Sequence, residues 1–305
     1  MRRTAPRLIG TLFLSSLLAG LTASALAATN APKAPAAAPN AVVEGVQMPA
    51  WLERDGKTQP LMPGQELHDG DNVRTGARSR VLLKMGEGSV VKLGENGTLK
   101  LNNLGMRKDN LFTATLEVAA GAFRFTTDVL AKLRPRQVDV KIATITAGIR
   151  GTDLWGKAGA DRDLVCLLEG KISVARGNDA PIDMNYANTF YVVPKNAEPL
   201  PIASVDPQQL IVWSAETEIA SGTGAVKRGG KWKVTLGVTD SEDDALKLYD
   251  SVRAGGYPAE IYPIGDSEKR RYQVRISQLP SKAEAQRLAD TLKGQFGVTA
   301  PGVSG

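Results

Sequence analysis

The 305-residue chain has one histidine, His68, and one cysteine, Cys166. A single cysteine rules out a disulfide within the chain. With one of each, metal centres and triads that need several imidazole or thiolate groups are nearly excluded. Chemistry run by carboxylates alone stays open. Aromatic residues are scarce, at 5% of the chain. Past the N-terminus no apolar run approaches the roughly 20 residues that a membrane-spanning helix needs. Charge is modest too: 38 Lys and Arg against 32 Asp and Glu give +6, and Arg2, Arg3 and Arg7 crowd the N-terminus. Without that end the excess is only about +3, a weak argument for a nucleic-acid partner.

What is there is ordinary globular composition, 42% hydrophobic and 23% charged, with 31 Gly and 17 Pro for turns. The length predicts about two domains. Residues 1–27 read as an export signal. Arg2, Arg3 and Arg7 precede an apolar run from Leu8 to Leu21, and Ala25-Leu26-Ala27 is a small-x-small cleavage site. No cysteine lies near that site, which excludes a lipoprotein anchor. The expected location is the periplasm, with no stable membrane insertion after cleavage. Residues 28–41 alternate Ala with Pro32, Pro35 and Pro39, a composition that stays extended and buries no core. They are expected to form a disordered tether.

Residues 42–177 switch to a period of two. Arg80–Lys84, Ser89–Leu93, Thr98–Leu101, Thr115–Val118, Ala122–Phe125, Val138–Ile142, Leu164–Leu168 and Lys171–Val174 read as strands. Turn residues separate them, among them Gly86-Glu87-Gly88, Asn96-Gly97, Ala120-Gly121 and Glu169-Gly170. Many short strands joined by such turns predict an all-β sandwich, barrel or short solenoid. Asn96-Gly97-Thr98 matches a glycosylation sequon, but Asn-Gly is first a turn signal.

Three ordered motifs in this stretch resemble FecR domains. Pro63–Gly76 holds Gly70, Asp71 and Thr75 in the family's opening pattern. Ile145–Asp153 holds Arg150-Gly151-Thr152, and Leu168–Val174 holds Glu169-Gly170. The resemblance implies an extracytoplasmic β module that contacts a partner or ligand. In iron-citrate regulators such a module relays a receptor's state to a sigma factor; those regulators also need a cytoplasmic N-terminal segment and a membrane span, neither of which is expected here, so their anti-sigma role is not expected to carry over. Turn chemistry alone accounts for Gly151 and Thr152, with Arg150 paired to a buried carboxylate; a partner contact is the sharper alternative. His68 reads as a solvated turn residue and Cys166 as a small buried apolar one.

Residues 178–230 are expected to be an extension ending in a flexible linker at 221–230. Within it, Asp206-Pro207 starts a helix to about Ile219 that packs back on the β domain through Leu210, Ile211, Trp213 and Ile219. Residues 231–300 then read βαββαβ. The strands are Trp232–Leu236, Ala259–Tyr262, Arg271–Ile276 and Gly297–Ala300, and Ser281 with Glu284 makes a capping box for the second helix. The order predicts a small α+β domain: a four-stranded antiparallel sheet with both helices on one face.

This stretch resembles a SPOR domain, the sporulation-related repeat. Val234-x-Leu236-Gly237, Ala254–Ala259, Tyr272-x-Val274-Arg275-Ile276 and Ser281–Leu288 carry the likeness. The resemblance implies binding to peptidoglycan glycan strands through the sheet face opposite the helices. Strand alternation puts Lys233, Thr235, Tyr262, Arg271, Gln273 and Arg275 on that face. Thr235 and Gln273 stand where studied members often have Gln and Arg. A polar sheet face merely turned to water is the alternative.

The resulting expectation is a non-enzymatic envelope protein with no cofactor and no metal. It would dock on peptidoglycan by the C-terminal domain while the β domain holds a partner or ligand. The alternative is a periplasmic signalling or scaffold protein acting through the FecR-like domain, with a degenerate SPOR-like domain. A wall hydrolase using carboxylates such as Glu87 and Glu117 is the third reading. Both lie in ordinary turn and strand patterns, which speaks against it.

Overall fold

The structure, a computed structural model, describes residues 39–127, 135–149, 151–267 and 269–305. The expected export signal (1–27), most of the expected tether (28–41) and Arg150 lie outside them. Ala41, the last residue assigned to the tether, opens the first strand.

The strands in chain order are β1 (Ala41–Gln47), β2 (Ala50–Arg54), β3 (Lys57–Pro60), β4 (Glu66–Leu67), β5 (Asn72–Thr75) and β6 (Arg80–Met85). Then come β7 (Val90–Leu93), β8 (Thr98–Met106), β9 (Phe112–Thr126), β10 (Arg136–Ile142), β11 (Ile145–Ile149) and β12 (Asp153–Ala158). β13 (Arg162–Glu169), β14 (Ile172–Arg176), β15 (Ile182–Met184), β16 (Thr189–Pro194), β17 (Ala203–Ser204), helix α1 (Pro207–Thr217) and β18 (Val226–Lys227) complete the β-rich part. Alternation makes these strands: in β6, Val81, Leu83 and Met85 are buried and the residues between them are not.

Hydrogen bonding sorts the strands into two sheets that share β9. One runs β1–β6–β7–β9–β12–β13–β16–β17, with β4 and β18 also bonded to β1. The other runs β3–β2–β5–β8–β9–β10–β11–β14–β15. Among the described residues only the β9–β10 pair is parallel. One apolar core joins inward residues of both sheets, among them Leu83, Leu93, Leu99, Leu116 and Val165. The all-β expectation thus resolves to a sandwich.

β9 corrects the reading of Ala120-Gly121 as a turn between strands. The chain continues as one strand, with Phe112–Ala120 paired to β8 and Gly121–Thr126 paired to β12 in the opposite sheet. Gly121 bends it at φ +83, and a Cβ there would come within 2.6 Å of Gly97 Cα. Only glycine takes that conformation so close to another backbone without strain. A turn and a sheet-switching bend call for the same residue, so the sequence pattern does not tell them apart.

Asp206 caps α1, its carboxylate accepting the Gln208 N–H at 2.7 Å. The helix lies on the outer face of the first sheet. Trp213 stacks on Trp155, and Leu210 joins a second, smaller core with Ala122 and Cys166. Ile211 was expected among the packing residues and instead stands 64% exposed, because the helix turns it away from the sheet.

The C-terminal part consists of β19 (Trp232–Thr239), α2 (Glu242–Ala254), β20 (Glu260–Ile264), β21 (Arg271–Leu279), α3 (Lys282–Leu292) and β22 (Gly302–Ser304). Its antiparallel sheet has the order β20–β21–β19–β22. Val234, Leu236, Val274 and Ile276 are buried with Ala245 and Val252 of α2 and Leu288 and Leu292 of α3. The last strand lies at Gly302–Ser304 rather than Gly297–Ala300. Val298 is instead spent on the core beneath α3, its carbonyl accepting the Gly294 N–H at 2.8 Å.

The two parts touch within one compact unit. The Ala50 N–H donates to the Gly256 carbonyl at 3.2 Å, and Gln278 Nε2 donates to the Pro63 carbonyl at 3.2 Å. The stretch 221–230, expected to be a flexible linker, is tied down at both ends. β18 pairs with β1, and Glu284 of α3 accepts the Gly222 and Gly224 N–H groups at 2.5 and 2.6 Å. Glu284 is therefore not the second half of a capping box. Ser281 Oγ does accept the Glu284 N–H at 3.2 Å, but the carboxylate reaches across to the linker.

Candidate functional site

The sheet face opposite α2 and α3 is the strongest candidate. β19 and β21 alternate, so with Val234, Leu236, Val274 and Ile276 buried, their neighbours Lys233, Thr235, Gln273 and Arg275 take the other side. Register aligns Thr235, Arg275 and Glu260 across three strands and sets Tyr262 opposite Gln273. Arg275 lies over the Tyr262 ring, its Cζ 4.0 Å from the ring centroid. Tyr262 is 48% exposed. Gln273 Nε2 donates to Thr235 Oγ1 at 2.7 Å.

Five of the six expected residues, Lys233, Thr235, Tyr262, Gln273 and Arg275, make one surface. Arg271 sits at its margin, bonded through Nε to Asp240 at 2.7 Å. Sequence reasoning missed Glu260 and Ser277. The Ser277 hydroxyl donates to Glu260 at 3.1 Å, and Arg275 faces the same carboxylate at 3.8 Å. Both could have been found by running the alternation one step further, to two residues before Tyr262 and two after Arg275. The surface offers an aromatic ring, a cation over it, and amide, hydroxyl and carboxylate groups. Such a set hydrogen-bonds hydroxyls and stacks on the apolar face of a ring.

The FecR-like residues take structural positions. The Asp71 carboxylate is buried, accepting from Arg54 at 2.6 and 2.7 Å and from the His68 N–H at 2.7 Å. That pairing holds the Arg54 guanidinium above its ordinary pKa. Gly70 donates its N–H to the Leu101 carbonyl at 2.7 Å. Thr75 Oγ1 donates to the Gly94 carbonyl at 2.6 Å and accepts the Gly97 N–H at 2.8 Å. Elsewhere, Gly170 lies tight against Gly151 and the buried Thr152, and Glu169 pairs in register with Asp153. Among the described residues no hydrogen bond joins the first group to the second.

His68 is exposed, as a turn residue would be. Cys166 is fully buried, and burial, with the nearby Asp153 charge, pushes its thiol up to about 12. Glu117 is ion-paired with Lys141, and Glu87 lies buried in the β6–β7 turn; no described contact joins them. Two ionic clusters escaped the sequence reading. Asp163, 0% exposed, accepts from Lys195 Nζ at 2.7 Å and from the Thr144 hydroxyl at 2.6 Å. Arg124 forks onto Asp153 at 2.7 and 2.9 Å. Their partners are far apart in sequence, so only strand pairing brings them together. Among the described residues no group of His, Cys, Asp and Glu has the arrangement of a metal site, and no helix is long and apolar enough to cross a membrane.

Two family models match the chain, the FecR protein over residues 71–173 and the SPOR domain over residues 229–300. The chain carries a FecR domain followed by a SPOR domain. A SPOR domain implies peptidoglycan binding, and a FecR domain fits a signalling or protein-contact role in the envelope. Two solved structures of a candidate anti-sigma factor from Parabacteroides distasonis ATCC 8503, at 1.65 and 2.50 Å resolution, are similar to it. The first is 16% identical with a TM-score of 0.38, covering 47% of this chain, which spans 64% of that one. The second is 13% identical with a TM-score of 0.38, covering 65% of this chain and 96% of its own. No curated protein matches the chain.

Proposed function

We propose that the protein is an exported, non-enzymatic envelope protein that binds peptidoglycan glycan strands through the open face of its SPOR sheet. The FecR sandwich would hold a partner or ligand beside the wall. The observation behind this reading is the exposed Tyr262 ring under Arg275, set among Lys233, Thr235 and Gln273 on a face no helix covers. A sugar ring stacks on the tyrosine, and the amide and hydroxyl groups bond its hydroxyls. Lys233 and Arg275 attract the carboxylates of the wall.

One observation favours the alternative, a signalling or scaffold role in which the SPOR sheet is degenerate. Arg271 is bonded to Asp240, and Gln273 to Thr235, so part of the face is satisfied within itself. Sedimentation of the whole protein with purified sacculi separates the two readings. Native walls and amidase-treated walls stripped of stem peptides are compared, with Tyr262→Ala and Arg275→Ala beside the parent. Binding that rises on stripped walls and falls in both variants supports wall docking. No binding to either wall sinks it and moves function to the FecR domain.

A further inference from the structure

β11 carries a glycine that its own strand does not require. Gly148 pairs in unbroken register with Asp139 of β10 and Ser173 of β14, so it marks no bulge. Its φ lies outside the left-handed region, and a Cβ built there would meet nothing within 4 Å. Glycine in the middle of a strand weakens it. What normally keeps one there is a bulge, a bend, or the close approach of another backbone or a ligand. Of these only the ligand remains. Gly148 lies in the middle of a trough of about 770 Å³ on the outer face of the sheet that holds β10, β11, β14 and β15. One row of the register crosses it, Asp139–Gly148–Ser173–Asp183 over four strands, with Gln137, Lys171 and Asn185 beside that row.

The polar groups around the glycine are unused. Among the described residues the side chains of Gln137, Asp139, Lys171, Ser173, Asp183 and Asn185 form no hydrogen bond and no ion pair. We propose that the trough binds an uncharged saccharide, one ring lying over Gly148 between Asp139 and Ser173. The two carboxylates accept its hydroxyls, and the amides and the Ser173 hydroxyl donate and accept in turn. Three observations choose a sugar. The lining charges balance, Arg136 and Lys171 against Asp139 and Asp183, which favours a ligand without net charge. Val138, Ile149 and Ile172 turn their side chains into the core, exposed by 2%, 6% and 4%, so an apolar group finds nothing to pack on. β11 is bonded on both sides, so a peptide finds no free strand edge at Gly148. The proposal rests on reading the FecR sandwich as a ligand-holding part of the protein, and it names that ligand's chemistry.

The test is read at Gly148 itself, in a nitrogen–proton correlation spectrum of the whole protein carrying isotope-labelled glycine. Gly148→Ala assigns the signal, and the open space around its Cβ lets that variant fold. The probes are chitotriose, a trimer of N-acetylglucosamine, and maltotriose, a trimer of glucose. Trialanine tests for a zwitterionic peptide. Calcium chloride tests the two carboxylates as a cation site.

The expected result is a saturable shift of the Gly148 amide with a saccharide, in the millimolar range usual for a small polar ligand on an open surface, and none with trialanine or calcium. A response to chitotriose alone identifies an amino sugar of the wall type, and one to maltotriose as well identifies a plain hexose chain; both support the proposal. Asp139→Ala breaks no described contact of the free protein and should weaken binding about tenfold or more, through loss of a hydrogen bond to a charged group. A Gly148 signal that neither sugar moves, an equal response to trialanine or calcium, or an Asp139→Ala variant that binds like the parent overturns the proposal. So does loss of the Gly148 response in Tyr262→Ala, which would place the sugar on the SPOR face. Sedimentation with sacculi on the same samples keeps the two readings apart. A parent that binds no wall yet keeps the Gly148 response sinks wall docking and leaves the trough standing.

Discussion

Glu284 gives a prediction whose size follows from the structure. Its carboxylate accepts two backbone N–H groups, from Gly222 at 2.5 Å and Gly224 at 2.6 Å, and the side chain is 8% exposed. A hydrogen bond to a charged group contributes about 1.5–3 kcal/mol, so two would contribute about 3–6 kcal/mol if they were independent. They are not, because they share one carboxylate, and the two donors differ. Gly222 is exposed and its N–H can return to water, whereas Gly224 is buried and its N–H would be left without an acceptor. Glu284→Ala is therefore expected to cost about 2–4 kcal/mol. Glu284→Gln keeps one acceptor oxygen but turns an N–H₂ toward the second donor, and should cost about 1–2 kcal/mol. Urea unfolding followed by tryptophan fluorescence measures both values. Hydrogen exchange at residues 222–224 should quicken in step, while the helical circular dichroism stays unchanged because the Ser281 cap is kept. A capping box accepts Gln nearly as well as Glu. A Glu284→Gln variant as stable as the parent, with unchanged exchange at 222–224, would refute the clamp.

Other outcomes follow from buried groups. Burial holds the Cys166 thiol up to about 12, so it should resist Ellman's reagent at pH 8 in the native state and react fully in denaturant. The same shift has a sign in stability. The folded thiol binds its proton more tightly than the unfolded one, so its contribution is present below pH 9 and is lost as pH climbs toward 12. The loss approaches about 1.4 kcal/mol per pH unit, and Cys166→Ala should flatten that part of the stability–pH curve. Asp163→Ala strips Lys195 and Thr144 of their acceptor. Because Lys195 is 29% exposed and can turn to water, about 2–3 kcal/mol of lost stability is expected rather than the full cost of an orphaned buried charge. Gly121→Ala forces a Cβ to 2.6 Å from Gly97 Cα at φ +83. It should lower the melting temperature by well over 5 °C, which scanning calorimetry would read; a shift under about 2 °C would mean that β9 relaxes at this bend.

Much of the molecule was legible from residue patterns alone. The two-residue period that buries Val81, Leu83, Val91 and Leu93 marked the strands, and Asp206-Pro207 marked the start of α1. The alternation that buries Val234, Leu236, Val274 and Ile276 also named five residues of the open SPOR face. These signals are local: each depends on neighbours within a few positions, where chain geometry fixes which way a side chain points. Ile211 shows the limit, because its place in an apolar cluster of α1 did not reveal which side of the helix meets the sheet.

What the sequence determined by itself was therefore the class of each part, a β-rich FecR stretch and a βαββαβ SPOR stretch, and the side of the sheet on which polar residues gather. Tertiary structure alone decided the rest. It turned the break at Ala120-Gly121 into a bend that carries β9 from one sheet to the other, and it sent the Glu284 carboxylate to the Gly222–Gly224 backbone. It also brought Trp213 onto Trp155 across 58 positions of chain. The physical reason is common to all three: the partner is a group distant in sequence, and no local propensity encodes which distant group will arrive.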